Sequence, residues 1–448
     1  MEQNLTTGNV RMAILRFSLP YLLSYFLQTL YGMADLFIVG QFNKTASITA
    51  VSIGSQVMHM ITVMIVGLAM GTTVTVARAV GEGRKEKASD AIGNTITLFA
   101  IGSLLLTILL LLCVNIIVSV MSTPAEAASE TKQYLIICFL GIPFITAYNV
   151  ISSVFRGLGD SKSPMCFIAV ACASNILLDY LFIGVLSLGP AGAALGTTLS
   201  QTISVLVSLM AIRKRGSGLV LKKHSFRPRK NVCMPILRIG FPVAVQDGFI
   251  QISFLLITIF ANRRGLTDAA AVGIVEKIIS IMFLIPSTML STVSALAAQN
   301  FGAGKSHRAR LTLRYAIEIA VAFGIVMTIL TQFFAPSIVD LFEEDPAVIA
   351  AGAQYLRSYV WDCIFAGVHF CFSGYFCAME RSFVSFLHNI ISILLARIPI
   401  AYYASLAYPD TLFPMGMAAP VGSLLSILVC LIAYRILSRN FKKTDETL

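Results

Sequence analysis

Charge is what this 448-residue sequence has least of: 12% of its residues are Asp, Glu, Lys or Arg, against 57% hydrophobic, and its mean hydropathy is +0.82. A soluble chain carries about twice that charged fraction, so a water-soluble fold is excluded and the chain reads as an integral membrane protein. The nine cysteines lack any spacing suited to a metal or a disulfide framework. Most of them (Cys113, Cys138, Cys166, Cys172, Cys371, Cys377, Cys430) fall in apolar runs and read as small packing residues. A cleavable signal is not expected, because Glu2 interrupts a basic n-region and the first apolar segment is too long for an h-region. There is no G-x-S-x-G turn and no His/Cys metal pattern, which leaves an enzyme without a foundation. Gly304-Lys305-Ser306 ends like a phosphate-binding loop, but Gln299 stands where the loop's first glycine belongs.

Long apolar runs are what the sequence does have. Turn signals divide them into twelve expected spans, near 12–39, 46–78, 90–120, 131–157, 163–187, 190–212, 236–261, 269–299, 309–337, 347–379, 383–407 and 414–437. Prolines 20, 143, 242, 286, 399 and 420 predict kinks in several of them. Of the 33 basic residues, all but Lys44, Lys132, Arg263, Arg264, Lys277, Arg357 and Arg397 gather at one set of span ends, in the 213–235 connection, or in the C-terminal tail. That asymmetry places both termini in the cytoplasm. It also accounts for the formal charge of +11 as a topology signal with anionic lipid contact, not as a nucleic-acid surface.

The chain repeats itself. Ile14-Leu15-Arg16 with Pro20 returns as Ile236-Leu237-Arg238 with Pro242; Gly81-Glu82-Gly83 returns as Gly302-Ala303-Gly304; Pro190 with Gly192 returns as Pro414 with Gly416. Each landmark keeps its place in the span order. The expected organisation is therefore a six-helix lobe over 1–212, a basic cytoplasmic linker over 213–235 and a second six-helix lobe over 236–448. An even number of spans gives the two lobes one orientation, so a pseudo-two-fold axis along the membrane normal relates them.

Polar residues inside the spans are few. Asp179 lies in an apolar run from Met165 to Leu188, where a carboxylate costs roughly 2.5–3.5 kcal/mol near a helix centre. Asn175 is one helical turn earlier on the same face. Asp35, in the first span, lies at a similar expected depth, roughly 7–12 Å below the outer surface, so one lobe can bring the two acids together. Two acids sharing a cavity cannot both ionise cheaply, which is the physical requirement of a proton-coupled carrier. Thr197, near the start of span six, can offer a hydroxyl on the same side, or simply bond its own preceding turn. The second lobe holds Asp247, Glu276, Lys277, Glu318, Asp362, His369 and Arg397. Asp362 and His369 share a helix face and suit a proton relay, while Glu276 or Asp362 equally suits a structural pairing with Arg397. His59 and His388 read as packing or interfacial residues.

With these residues in place, the chain resembles the multidrug and toxic compound extrusion (MATE) family. The likeness rests on ILRFSLP (14–20), MADLFIVGQF (33–42), VARAVGEGRKEKA (76–88), FRGLGDSKSPM (155–165), LLDYLFI (177–183), GPAGAALGTTLSQ (189–201) and AAQNFGAGK (297–305). The resemblance implies an all-α membrane fold of two six-helix bundles forming a V. In the family's DinF-like branch an aspartate on helix one and Asn-x-x-x-Asp on helix five form the cation site. Those positions are Asp35, Asn175 and Asp179 here, with Thr197 beside them, and they imply H+ or Na+ as the coupling ion. In the NorM-like branch the acids lie on helices seven and ten; Asp247 and Asp362 fall on those helices, but Gln251 stands nearer the expected helix-seven position.

The expected function is therefore export of amphipathic cationic small molecules in exchange for protons or sodium by alternating access, with Pro20 as a hinge in helix one. A monomer in the plasma membrane, without a cofactor, is expected. A lipid-linked sugar flippase is the alternative; it calls for basic residues in the cavity, and the first lobe's buried charges are acidic. A major-facilitator carrier calls for a G-x-x-x-D-[RK]-x-G-[RK]-[RK] loop, where this sequence reads Gly81-Glu82-Gly83-Arg84-Lys85.

Overall fold

The computed structural model describes residues 5–215 and 222–445, and among them the regular structure is entirely helical. Residues 1–4, 216–221 of the expected linker and 446–448 lie outside the described residues. The helices are α1 (Val10–Phe42), α2 (Thr45–Gly81), α3 (Lys85–Val120), α4 (Ala125–Gly157), α5 (Lys162–Asp179), α6 (Gly189–Arg215), α7 (Lys230–Asn262) and α8 (Leu266–Met282). There follow α9 (Leu284–Gly302), α10 (Ser306–Asp340), α11 (Pro346–Tyr359), α12 (Asp362–Ala378), α13 (Ser382–Ser392), α14 (Ile398–Ala407), α15 (Phe413–Gly416) and α16 (Ala418–Asp445). Among the described residues, eleven stretches are long and apolar enough to cross a membrane singly; α11 and α12 together make a twelfth, bent by 42°.

These helices form because apolar runs in a bilayer must satisfy every backbone group internally. Their outward faces stay apolar: Leu112 and Val120 of α3 are each 75% exposed within the protein, as a lipid-facing surface requires. Proline explains part of the breakage. The eighth span is interrupted between α8 and α9, three residues before Pro286, whereas α1, α4 and α7 continue through Pro20, Pro143 and Pro242. Two π-helical turns, Tyr180–Val185 after α5 and Ile393–Arg397 after α13, and the bend at Val360–Trp361 have no proline within them.

The chain folds as two compact units. One is built mainly from Leu15–Ala244 with Gln299–Gly304; the other from Val245–Ala298 and Lys305–Leu448 with Gly8–Ile14. In the first unit, Ile38, Val51, Leu135, Phe139, Ile142 and Ile183 form a core from α1, α2, α4 and the π turn. In the second, Val275, Ile278, Tyr355, Tyr359, Cys363 and Met415 do the same for α8, α11, α12 and α15.

Glycines let backbones meet within the first unit. A side chain at Gly71 would strike the Ile236 carbonyl, and one at Gly240 the Leu68 carbonyl, so α2 and the start of α7 touch backbone to backbone. A second crossing is reciprocal: Gly81 faces the Gln299 carbonyl and Gly302 faces the Arg78 carbonyl. These are repeat-related positions, and the Gln299 amide closes the group by donating to the Gly157 carbonyl at 2.9 Å.

The described end of the linker is docked onto α3. Asn94 Nδ2 donates to the Ser225 carbonyl at 2.9 Å, and Asn94 Oδ1 accepts the Arg229 backbone N–H at 2.7 Å. Asp90 accepts from Ser225 Oγ at 2.7 Å and from Arg229 Nη1 at 3.0 Å.

Candidate functional site

Three helices of the first unit converge on a buried polar cluster. Asp35 comes from α1 and is 3% exposed; Asn175 and Asp179, one turn apart on α5, are completely buried. Thr197 of α6 donates its hydroxyl to Asp35 Oδ2 at 3.1 Å. Asp35 lies within interaction range of Asp179 and Asn175 as well, so the four side chains named from the sequence share one site. Asp35 Oδ1, both carboxylate oxygens of Asp179 and both amide atoms of Asn175 are buried without a hydrogen bond of accepted geometry among the described residues.

Local structure explains the gathering. Gly196 precedes Thr197, and a Cβ there would collide with Asp179 Oδ1, so α6 can lie against α5 at this level only through a glycine. Gly192, one turn earlier, faces Phe182 and Ile183 less tightly, with their atoms 3.1–3.2 Å from where a Cβ would stand. Ala193 and Ala194 between them are fully buried, which completes a smooth small-residue face. The π turn begins directly after Asp179, and such turns re-aim the residues that follow and recur at functional sites.

The cluster suits a small hard cation or a proton. Two carboxylates, an amide carbonyl and a hydroxyl are oxygen donors of the type that such ions select, and orphaned buried carboxylate oxygens are costly unless something positive joins them. Among the described residues no group of three His, Cys, Asp or Glu is arranged for a transition metal.

The second unit's candidates do not form a single site. Glu318 is not a buried acid: it accepts from Arg314 and Arg11, each at 3.0 Å, and its side chain is 39% exposed. Lys277 is exposed. The expected pairing of Arg397 with Glu276 or Asp362 is not made as a direct contact. The guanidinium donates to the Tyr359 hydroxyl at 2.6 Å and lies 4.5 Å over the Phe254 ring, with both acids in electrostatic range. Thr258 Oγ1 lies 3.3 Å from Glu276 Oε2. His369 Nε2 is 3.2 Å from the Ser423 hydroxyl, which lies near Asp362 without a hydrogen bond of accepted geometry to it. Asp247 stands apart from this group, beside Gln246, which accepts from Ser385 Oγ at 2.9 Å.

Sequence reasoning missed the setting of His388. It is neither interfacial nor mere filling: fully buried, it lies 2.9 Å from Ser373 Oγ and 2.6 Å from Ser426 Oγ, with its ring 5.7 Å from that of His369. Nothing near it in sequence is acidic, and serines in spans are too ordinary to flag it. Arg156, counted only among the orientation markers, is 9% exposed and lines a pocket.

The MatE family model matches the chain twice, over residues 20–181 and 242–403, the same 222-residue spacing that separates Pro20 from Pro242. The probable multidrug resistance protein YpnP of Bacillus subtilis is 28% identical over 394 residues, covering 88% of each chain. The probable multidrug resistance protein NorM of Thermotoga maritima is 26% identical over 403 residues, covering 88% of this chain and 85% of its own. A solved outward-facing multidrug resistance MATE family transporter has the same fold, with a TM-score of 0.92 over 99% of each chain at 23% identity. Two family matches in tandem, on twelve apolar spans whose first half gathers its rare buried acids at one point, make this chain a membrane transporter, not an enzyme, and a member of the MatE family.

Proposed function

We propose that the protein is a secondary active multidrug exporter that exchanges amphipathic organic cations for protons or sodium. The observation that carries this reading is the set of five orphaned buried polar atoms on Asp35, Asn175 and Asp179. The relatives' names, which speak of multidrug resistance, support the substrate class.

The cycle follows from the charge. With Asp35 and Asp179 ionised, the first unit's interior attracts an organic cation from the cytoplasmic side. When the site opens outward, H+ or Na+ binds the pair and takes the drug cation's place in its charge balance, the Thr197 hydroxyl and Asn175 amide turn toward the new charge, and the drug cation leaves. One pH unit supplies about 1.4 kcal/mol per proton, a tenfold concentration ratio. Exchange of one proton for one monovalent cation moves no net charge, so the membrane potential adds nothing to that stoichiometry. Pro20 is the hinge of α1 in this scheme: it lacks an N–H, and its carbonyl accepts from Ser24 Oγ at 2.9 Å, a local bond that survives bending. Asp247, Glu276, Asp362, His369 and Arg397 have supporting roles in the second unit. The basic span ends support cytoplasmic termini and residence in the plasma membrane, and the site's composition supports the DinF-like branch.

The test is ethidium export by inverted vesicles or proteoliposomes under pH and sodium gradients imposed separately. Asp35→Asn and Asp179→Asn should each reduce gradient-driven export to background while the purified protein keeps its wild-type elution and melting behaviour. Normal export by either variant rejects the site.

A further inference from the structure

A second polar pocket lies in the first unit, between the N-terminal half of α1 and the C-terminal part of α4. It is a small recess, partly open to its surroundings, walled mainly by two helices. Tyr21, Ser24 and Gln28 of α1 form one wall, and Asn149, Ser152 and Arg156 of α4 form the opposite one. On each helix these residues recur at three- and four-residue intervals, so each presents one polar stripe. Gln28, the pocket member nearest to Asp35 on α1, is seven residues from that acid, about 10 Å of helix, and Tyr21 is fourteen residues away, about 21 Å.

Its charge is opposite. Arg156 is 9% exposed, and none of the described residues places a carboxylate within ion-pairing distance of it. Its guanidinium donates to Tyr21 Oη at 3.0 Å and to Ser153 Oγ at 2.8 Å, and lies 4.9 Å over the Tyr21 ring. Those contacts orient the fork but leave its charge uncompensated and three of its five donors free. One turn away, Ser152 is 2% exposed; its hydroxyl lies near the Tyr148 phenol but makes no hydrogen bond of accepted geometry. A buried cation without an anion, beside an orphaned hydroxyl and facing empty space, is an unfavourable arrangement that a bound anion corrects.

We propose that this pocket binds the anionic head, phosphate or carboxylate, of a molecule with an apolar tail, with Arg156 as its charge partner and Ser152 as a second donor. Arg156 is one residue from the end of α4, and Val66 and Pro164 give the pocket an apolar side. The same chemistry is offered by a lipid headgroup and by a soluble acidic amphiphile. The proposal stands whether or not Asp35 and Asp179 couple transport.

The experiment is calorimetric titration of the purified full chain in dodecyl maltoside with octyl phosphate, octanoate and octyltrimethylammonium, probes that share a tail and differ in the head. Octyl phosphate and octanoate should bind saturably at one site. Arg156→Gln should weaken octyl phosphate about tenfold or more, the loss of a charged hydrogen-bond donor. Arg156→Lys should restore part of it, and Ser152→Ala should weaken it by about threefold while leaving the fold intact. Asp35→Asn should bind octyl phosphate like the wild type. The proposal is overturned if Arg156→Gln and Ser152→Ala both bind octyl phosphate normally, if octyltrimethylammonium competes for the same site, or if Asp35→Asn abolishes the binding. Competition by added phosphatidylglycerol assigns the pocket to a lipid headgroup; undiminished octyl phosphate binding in its presence assigns it to a soluble acid.

Discussion

Gly196 on α6 faces Asp179 on α5 so closely that a methyl group there would occupy the position of the carboxylate's Oδ1. The absence of a side chain at one residue thus makes room for the charge at another. Gly196→Ala should displace the carboxylate or part the two helices, an overpacking cost of about 1–3 kcal/mol. Ethidium export should fall about tenfold or more. Gly192→Ala, which meets Phe182 and Ile183 instead, should lower the melting temperature with a smaller effect on export. Equal export losses in the two variants would remove the special role of Gly196.

Thr197 holds Asp35 by a single hydroxyl. Thr197→Ala removes the donor and orphans Asp35 Oδ2 as well as Oδ1. A hydrogen bond to a charged group contributes about 1.5–3 kcal/mol, so the concentration of driving ion at half-maximal export should shift by roughly tenfold or more. Thr197→Ser should restore it. A ladder of sodium or proton concentrations in proteoliposomes measures the shift, and an unchanged midpoint in Thr197→Ala would remove Thr197 from the site.

In the second unit the partner of Arg397 is a tyrosine hydroxyl at 2.6 Å. Tyr359→Phe should destabilise the purified protein by about 1.5–3 kcal/mol, read as a lower melting temperature, while the sodium and pH dependence of export stay as in the wild type. A change in ion dependence without a change in melting would move the coupling chemistry toward Arg397 and Asp362.

At the reciprocal crossing, Gly81→Ala and Gly302→Ala should have closely similar effects, because each drives a methyl group into a backbone carbonyl of the other helix. Carbonyls cannot rotate away as side chains do, so each should cost on the order of 1–3 kcal/mol and lower export in parallel. Melting curves and export rates of the two single variants check the parallel; an effect confined to one of them would break it.

The order of helices was legible because bilayer spans write themselves as uninterrupted apolar runs. Asp35, Asn175 and Asp179 stood out for the converse reason: an acid in such a run is too costly to be incidental. What stayed hidden depends on partners far away in sequence. Gly196 is one glycine among many until α5 lies against it. Arg397 suggested an acidic partner, and its closest contacts proved to be a phenol and a phenyl ring. His388 is organised by two serines that no pattern singles out. The π turn after Asp179 has no proline near it to announce it, whereas the one ending at Arg397 stands two residues before Pro399, where a kink is predicted. Arg156 was read as one positive charge among many at the basic ends, since sequence cannot tell a solvated guanidinium from an enclosed one.

The paired glycines at 81 and 302 have an implication for the history of the chain. A contact in which each member offers the same notch to the other's backbone is the kind that two identical molecules make across a dyad. A single six-span polypeptide bearing one such notch would already dock with its twin, so joining two copies end to end would have preserved an assembly that was self-complementary from the start. Divergence after that fusion would be free to reshape the two interiors differently, provided neither notch was filled.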